Sequence, residues 1–280
     1  MVRFTHHLAD KTMLLGVLRA TWDRFSRHRG GTLAAAIGYR AVFALAPLLL
    51  VAVSLTGVIF GEDAARGELV AQLQRIVGAD IAKATQDLVL EASRSRNVGW
   101  IGLLLLIWAG SGLFVETQGA LASIYEVDPA QVAGFKMAIR RRAVTLAAVI
   151  ASGVMLAVLV GGATAVAWLP VRWAANGLGF LISAGVLVAG LVLAFRYLTV
   201  ARLPWRAIIL AAVATSVAVG AAAVGVSLFV AWGGGGGASG VAGSLVAILL
   251  AVYVLSSVLL LGAALTKTVA DRMSTKLSRL

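Results

Sequence analysis

The sequence predicts an all-helical, polytopic membrane protein with six transmembrane helices. Three observations predict this fold class. Hydrophobic residues make up 60% of the 280 residues, and charged residues only 13%. Most apolar residues fall into six stretches of about 20 residues or more, the helix length that crosses a bilayer core of ~30 Å. The loops between these stretches alternate in charge, as short loops on the two sides of a membrane do.

The predicted spans cover most of the chain. They are residues 33–60, 98–122, 143–169, 177–200, 207–232 and 241–265. The first is longer than a bilayer requires, so we expect it to tilt, bend or extend beyond the membrane. A single six-helix domain, 31–266, is therefore preceded by an arm, 1–30, and followed by a basic tail, 267–280.

The loop charges place both ends of the chain on one side. The arm, the tail and the loops after spans two and four contain seventeen Lys and Arg against five Asp and Glu, whereas the remaining loops contain six of each sign. One side thus carries the whole net charge of +12. Because basic residues resist translocation, we expect this side and both termini to be cytoplasmic, with the spans in a bacterial inner membrane. Topology accounts for the charge, so no nucleic-acid partner is expected.

The arm predicts an amphipathic helix. Five apolar side chains share one helical face, while Arg19, Asp23 and Arg27 lie elsewhere on the wheel. The five are Leu8, Leu15, Leu18, Trp22 and Phe25. A basic helix of this type lies in the cytoplasmic interface, where anionic headgroups attract it. Packing on the inner rim of the bundle is a compatible alternative. Charged residues interrupt the arm, so we do not expect a cleavable signal peptide.

Two outer connections complete the predicted organisation. In residues 61–97 the apolar spacing predicts two short amphipathic helices, which either cap a cavity or rest on lipid headgroups. Gly233–Gly237 is a run of glycines that lacks the Lys-Ser/Thr of a phosphate loop. We interpret it as a flexible hairpin between spans five and six.

Two charged residues lie deep inside predicted spans, whereas Arg196 lies near the end of span four and is counted with the loop that follows. Arg40 and Glu116 are each about 10 Å from the cytoplasmic side at ~1.5 Å per helical residue. An intramembrane charge costs at least about 2.5–3.5 kcal/mol on insertion scales. Because both residues lie at the same depth in the membrane, we predict that Arg40 and Glu116 form an ion pair. The alternative is that each side chain reaches the near interface separately.

Other polar groups near this pair are enough to line a wet cavity. Pro47 follows Arg40 by two turns and bends span one. A kink beside an intramembrane charge suits a substrate path, although packing kinks are equally common. The candidate substrate-binding and translocation residues are Arg40, Glu116, Tyr39, Gln118, Pro47 and Ser111.

The sequence does not favour an enzyme. His6, His7 and His28 all lie in the arm, far in sequence from Glu116. No metal-ligand spacing, nucleophile elbow or phosphate loop is present. The absence of cysteine excludes disulfides, thiolate nucleophiles and cysteine metal sites. We therefore expect no catalytic activity, cofactor or metal.

Three motifs resemble a known family. The first-span sequence at 31–50 is GTLAAAIGYRAVFALAPLLL, the second-span sequence at 108–125 is WAGSGLFVETQGALASIY, and residues 203–206 are LPWR. They resemble the YihY/BrkB family of bacterial inner-membrane proteins, whose actinobacterial members are often labelled YhjD. The resemblance covers nearly the whole chain. Arg40 stands where a second aromatic is frequent, and Gly262-Ala-Ala264 lacks the acidic residue that many members carry there.

The resemblance implies six spans and an envelope-related role, with lipid or lipopolysaccharide-like export among the proposals for the family. It supplies no family-wide catalytic residues. We expect an envelope-maintenance protein that transports or flips a lipid or other amphiphile, with membrane lipids as partners. A non-transporting scaffold for envelope assembly is the alternative, and a membrane-bound nuclease would require a catalytic cluster that the sequence lacks. No motif defines the oligomeric state.

Overall fold

The computed structural model describes residues 2–44, 98–128, 143–144, 147, 172–198, 201, 203–229 and 241–277. Within these residues the fold is helical and contains no strand. Its helices are α1 (Val2–Arg27), α2 (30–44), α3 (Val98–Ile124), α4 (Arg172–Tyr197), α5 (Trp205–Phe229) and α6 (Val241–Leu277). The predicted all-helical class is confirmed.

The helices agree with the predicted elements wherever both are described. Helix α1 occupies the predicted arm, and α3, α4 and α5 match spans two, four and five within a few residues. Helix α6 continues past the predicted end of span six to Leu277, through most of the predicted tail. Span one is described only to residue 44. Most of span three, the segment 61–97 and the glycine run 233–237 lie outside the described residues.

Three helices of the described part are long and apolar enough to cross a membrane. They are Gly179–Tyr197, Trp205–Phe229 and Val246–Thr275, of 19, 25 and 30 residues. Large apolar side chains on them are exposed, for example Phe180 and Val217. Contiguous apolar surface of this kind is unfavourable in water but is the ordinary exterior of a helix in lipid.

The chain forms two compact units. The first comprises residues 1–34, 117–221 and 257–280, and the second comprises residues 35–116 and 222–256. In the second unit, α2 approaches α6 closely, because a Cβ atom at Gly38 would lie 3.7 Å from the backbone of Tyr253. This contact fixes the part of α2 that carries Tyr39 and Arg40.

Small residues hold α5 against α6 in the first unit. Ala207, Ala211 and Ala212 of α5 and Ala263 and Ala264 of α6 are fully buried. Lipid provides no hydrophobic drive between helices, so they associate by close packing of small residues.

At Gly262 the two helices leave no room for a side chain. A Cβ atom there would overlap the buried side chain of Thr215, whose hydroxyl donates to the Ala211 carbonyl at 2.6 Å. Any side chain at position 262, an acidic one included, would therefore displace Thr215.

We predict that Gly262→Ala lowers the free energy of unfolding by about 1–3 kcal/mol, the usual cost of overfilling a packed core. Thermal unfolding in detergent micelles measures the change. Gly220→Ala on α5 is the matched control, since a Cβ atom at Gly220 meets nothing within 4 Å. Thr215→Ala should recover part of the loss in the double variant. Equal effects of the two glycine substitutions would contradict the proposed close contact.

Candidate functional site

The second unit contains an ion pair between neighbouring helices. Arg40 of α2 donates from Nε to Oε2 of Glu116 on α3 at 2.9 Å. The direct pairing predicted from the sequence is confirmed. The Arg40 side chain is nevertheless 49% exposed and that of Glu116 is 30% exposed. The two charges thus neutralise each other while both remain accessible from outside the protein.

A glycine allows Arg40 to approach α3. Gly112 precedes Glu116 by four residues, so both lie on the same face of the helix. A Cβ atom at Gly112 would lie 3.0 Å from Nη1 of Arg40. The guanidinium group therefore lies along α3 in space that any larger residue would reduce. The sequence analysis did not identify Gly112 as a site residue, and the Gly-x-x-x-Glu spacing is the signal that marks it.

Exposed aromatic residues lie on the two helices that carry the ion pair. The rings of Tyr39 and Phe43 on α2 pack 4.8 Å apart with an interplanar angle of 54°, and both side chains are largely exposed. On α3, Trp108 is also exposed and lies two four-residue steps before Glu116, on the same helical face. The two helices thus expose both a charged pair and aromatic rings.

The remaining predicted site residues do not extend this cluster within the described residues. Gln118 is buried and belongs to the first unit. It follows Glu116 by two residues, and positions two apart on a helix point about 200° away from each other. Gln118 therefore does not share the face that carries Glu116. Pro47 and the side chain of Ser111 lie outside the described residues.

We predict an energetic coupling between Arg40 and Glu116. Arg40→Glu and Glu116→Arg should each lower the unfolding temperature, because each places two like charges at the contact. The double exchange should recover part of both losses, with a coupling energy of about 0.5–3 kcal/mol, as is usual for residues in contact. Thermal unfolding of the four proteins in one detergent completes this double-mutant cycle. Strictly additive losses would show that the pair contributes nothing to stability.

A second group of charges lies in the first unit. Asp271 of α6 accepts from Nη2 of Arg24 on α1 and from Nζ of Lys267, both at 2.8 Å. Glu126, just after α3, lies 3.1 Å from Nε2 of His28 and 3.9 Å from Nη2 of Arg24. The Arg24 side chain is only 12% exposed, so the two carboxylates stabilise a cation that is largely removed from solvent. These contacts tie α1 to the ends of α3 and α6.

Glu126 adopts an unusual backbone conformation for a non-glycine residue. Its φ of 57° is left-handed. The Glu126 amide donates to the Ser123 carbonyl, and the Val127 amide donates to the Ala122 carbonyl. This is the Schellman arrangement that ends many helices, usually with glycine at the left-handed position. The side chain explains the exception, since glycine would supply no carboxylate for His28 and Arg24.

Tyr125 is the buried neighbour of this charged cluster. Its side chain is almost completely enclosed by the protein. Burial raises the pKa of the phenol well above its usual range, and the nearby Thr266 hydroxyl offsets a part of that rise. The neutral phenol is therefore the form that the fold favours.

This pKa shift predicts a loss of stability in strong base. Above about pH 10, the usual pKa of tyrosine, the folded protein binds a proton that the unfolded chain releases. The contribution of Tyr125 is thus complete below that pH and is lost as the pH rises through the raised pKa. Tyr125→Phe should remove this part of the pH dependence and leave neutral-pH stability nearly unchanged. Unfolding temperatures across the basic range test this, with the exposed Tyr197→Phe as control; identical pH profiles for wild type and Tyr125→Phe would contradict it.

The described residues contain no group of three or more histidine, aspartate or glutamate side chains placed to hold a metal ion. His28 contacts Glu126 and is part of the charged cluster around Arg24. Among the described residues of the second unit, Arg40 and Glu116 are the charged side chains that could bind a charged ligand.

The described helices are long and apolar, and large apolar side chains cover their exteriors. With an ion pair between two of them, these are the features of a helical membrane protein. The chain belongs to the BrkB virulence factor family, whose sequence pattern it matches over residues 21–279. The resemblance seen in the first two spans is thus confirmed at the level of the family. No curated relative and no solved structure matches the chain.

Proposed function

We propose that this membrane protein binds an anionic lipid or other amphiphile at Arg40 and moves it across the bilayer. The observation that carries the proposal is the Arg40–Glu116 contact at 2.9 Å between two partly exposed side chains. An arginine paired by one nitrogen retains other N–H donors for a phosphate or carboxylate, which it binds with charge-assisted hydrogen bonds. The exposed rings of Tyr39 and Phe43 supply an apolar surface for acyl chains.

The ion pair also offers a way to accept and release a charged headgroup. Without substrate, Glu116 neutralises Arg40, so the site carries no net charge in an apolar environment where an unpaired charge is costly. An anionic headgroup binds the N–H donors of the guanidinium that Glu116 does not use. Glu116 then stays in contact with Arg40, and its negative charge weakens the hold on the headgroup, which keeps binding reversible.

A non-transporting scaffold is the alternative function. The same ion pair favours it, because an Arg40 that is neutralised by Glu116 could have the structural role alone of holding α2 against α3. The two functions differ in what they require of Arg40. Transport needs its positive charge to reach a headgroup, whereas a lock needs only the contact with Glu116.

Purified protein in liposomes, tested with fluorescent anionic phospholipids, separates the two functions. We expect lipid translocation faster than in protein-free liposomes. Arg40→Ala should slow it by about tenfold or more, since a hydrogen bond to a charged group contributes about 1.5–3 kcal/mol. Arg29→Ala, which removes an exposed arginine just after α1, is the matched control and should leave the rate unchanged. The assay is run with and without an imposed proton gradient. Translocation no faster than in empty liposomes under both conditions, or unaffected by Arg40→Ala, would contradict the proposal.

We further propose six spans in a bacterial inner membrane, with both termini in the cytoplasm. The excess of basic residues in the arm, the tail and two loops supports this orientation. The chain contains no cysteine, so single cysteines can be introduced without background labelling. In intact cells, a membrane-impermeant thiol reagent should label Ser95→Cys and leave Ser274→Cys unlabelled. The reverse labelling pattern would show that the protein has the opposite orientation in the membrane.

In this topology, α1 lies in the cytoplasmic interface. Leu15, Leu18 and Trp22 are exposed along one side of the helix, whereas Thr21 and Phe25 are buried. The exposed arc therefore divides into an apolar strip and a strip that carries Arg19 and Arg27, as an interfacial helix requires. The proposal includes no catalytic activity, cofactor or nucleic-acid partner, and its partners are membrane lipids.

A further inference from the structure

The turn between α4 and α5 contains a fixed arginine. Arg196, in the last turn of α4, lies 5.0 Å from the ring centroid of Trp205, the first residue of α5. Its Nη1 donates to the Leu203 carbonyl at 3.1 Å. A cation over an indole ring and a hydrogen bond to the backbone together restrict the guanidinium group to one orientation. Most surface arginines lack such restraints.

The fixed guanidinium retains donors for another partner. A guanidinium group has five N–H donors, and within the described part of the chain Leu203 accepts from one nitrogen of Arg196. Arg206, one residue beyond Trp205, adds a second exposed positive charge. Planar, doubly donating arginines are suited to phosphate oxygens. The turn therefore has the chemistry of a phosphate-binding surface.

The surroundings distinguish an amphiphile from a free anion. Tyr197 and Trp205 are both about half exposed, which is the usual condition of aromatic residues at the headgroup level of a membrane. Exposed apolar side chains lie on the same helical faces as Arg196, Trp205 and Arg206. Leu193 precedes Arg196 by three residues, and Ile209 and Leu210 follow Trp205 and Arg206 by four. Charge at the turn and apolar surface along the helices match a phosphate headgroup and its acyl chains.

We propose that Arg196, Trp205 and Arg206 form a binding site for the phosphate headgroup of an anionic phospholipid. The site lies in the first unit, is separate from Arg40 and Glu116, and does not depend on the protein being a transporter. Charge complementarity selects an anionic lipid over a zwitterionic one. The Arg196–Trp205 contact makes it a defined site and distinguishes it from the general attraction of a basic surface.

Lipid-dependent thermal stability tests the site. Purified protein in a neutral detergent is titrated with phosphatidylglycerol, phosphatidylcholine or inorganic phosphate, and the unfolding temperature gives the apparent affinity. We expect phosphatidylglycerol to stabilise the protein at lower concentration than the other two. Arg206→Gln, which removes an exposed side chain, should weaken phosphatidylglycerol binding about fivefold, the contribution of one basic residue at an anionic surface. Arg29→Gln removes the same charge from an exposed residue just after α1 and should leave the affinity unchanged.

Trp205→Leu distinguishes a defined site from diffuse attraction, because it removes the support of Arg196 without changing any charge. It should weaken phosphatidylglycerol binding to a similar extent. An unchanged affinity in Trp205→Leu, or equal losses in Arg206→Gln and Arg29→Gln, would overturn the proposal. Equal stabilisation by inorganic phosphate would assign the surface to a free anion. If Trp205→Leu does not fold, Arg196→Lys replaces it, since this variant keeps the charge but not the planar donor group.

Discussion

The cost of placing charge in an apolar environment governs the polar features of this protein. Arg40 and Glu116 lie on helices that are otherwise apolar, and each would be unfavourable in hydrocarbon without the other. Arg24, largely buried in the first unit, is likewise held by Asp271 and Glu126. Arg24 is removed from solvent with two carboxylates beside it, whereas Arg40 is paired with Glu116 and stays half exposed. The accessible guanidinium of Arg40 is the one that the proposed function uses.

Close packing of small residues sets the geometry within which these charges meet. In lipid the helices gain nothing from hiding apolar surface, so contact depends on shape. Gly262 against Thr215 holds α5 to α6, and Gly38 brings α2 near Tyr253 of α6. Gly112 acts in the same way at the ion pair, since its missing side chain leaves space for the guanidinium group of Arg40. Glycine in these helices therefore has a steric function, and its lower helix propensity is offset by the contact that it permits.

The charged cluster of the first unit shows local strain retained for a tertiary contact. Arg29 and Glu126 are the non-glycine residues of the described chain with left-handed φ angles, 54° and 57°. Such conformations cost of order 1 kcal/mol and persist where surrounding contacts outweigh them. Arg29 follows α1 and is the neighbour of His28, and Glu126 follows α3. The side chains of His28 and Glu126 are in contact at 3.1 Å, so both strained residues lie at this contact. The strain therefore occurs where the ends of α1 and α3 meet.

The sequence by itself determined the helical class, the extents of most described helices and the two charges that must be paired, because length, hydropathy and the cost of an unpaired charge are properties of local composition. It also identified Arg40 and Glu116 as partners from their matching depth. Only the tertiary structure decided that Gly112 shapes their contact and that Arg24, Asp271 and Glu126 form one cluster. It also placed Arg196 over Trp205. These contacts join residues distant in sequence or on different helical faces, and their formation depends on how the helices pack, which no single segment encodes.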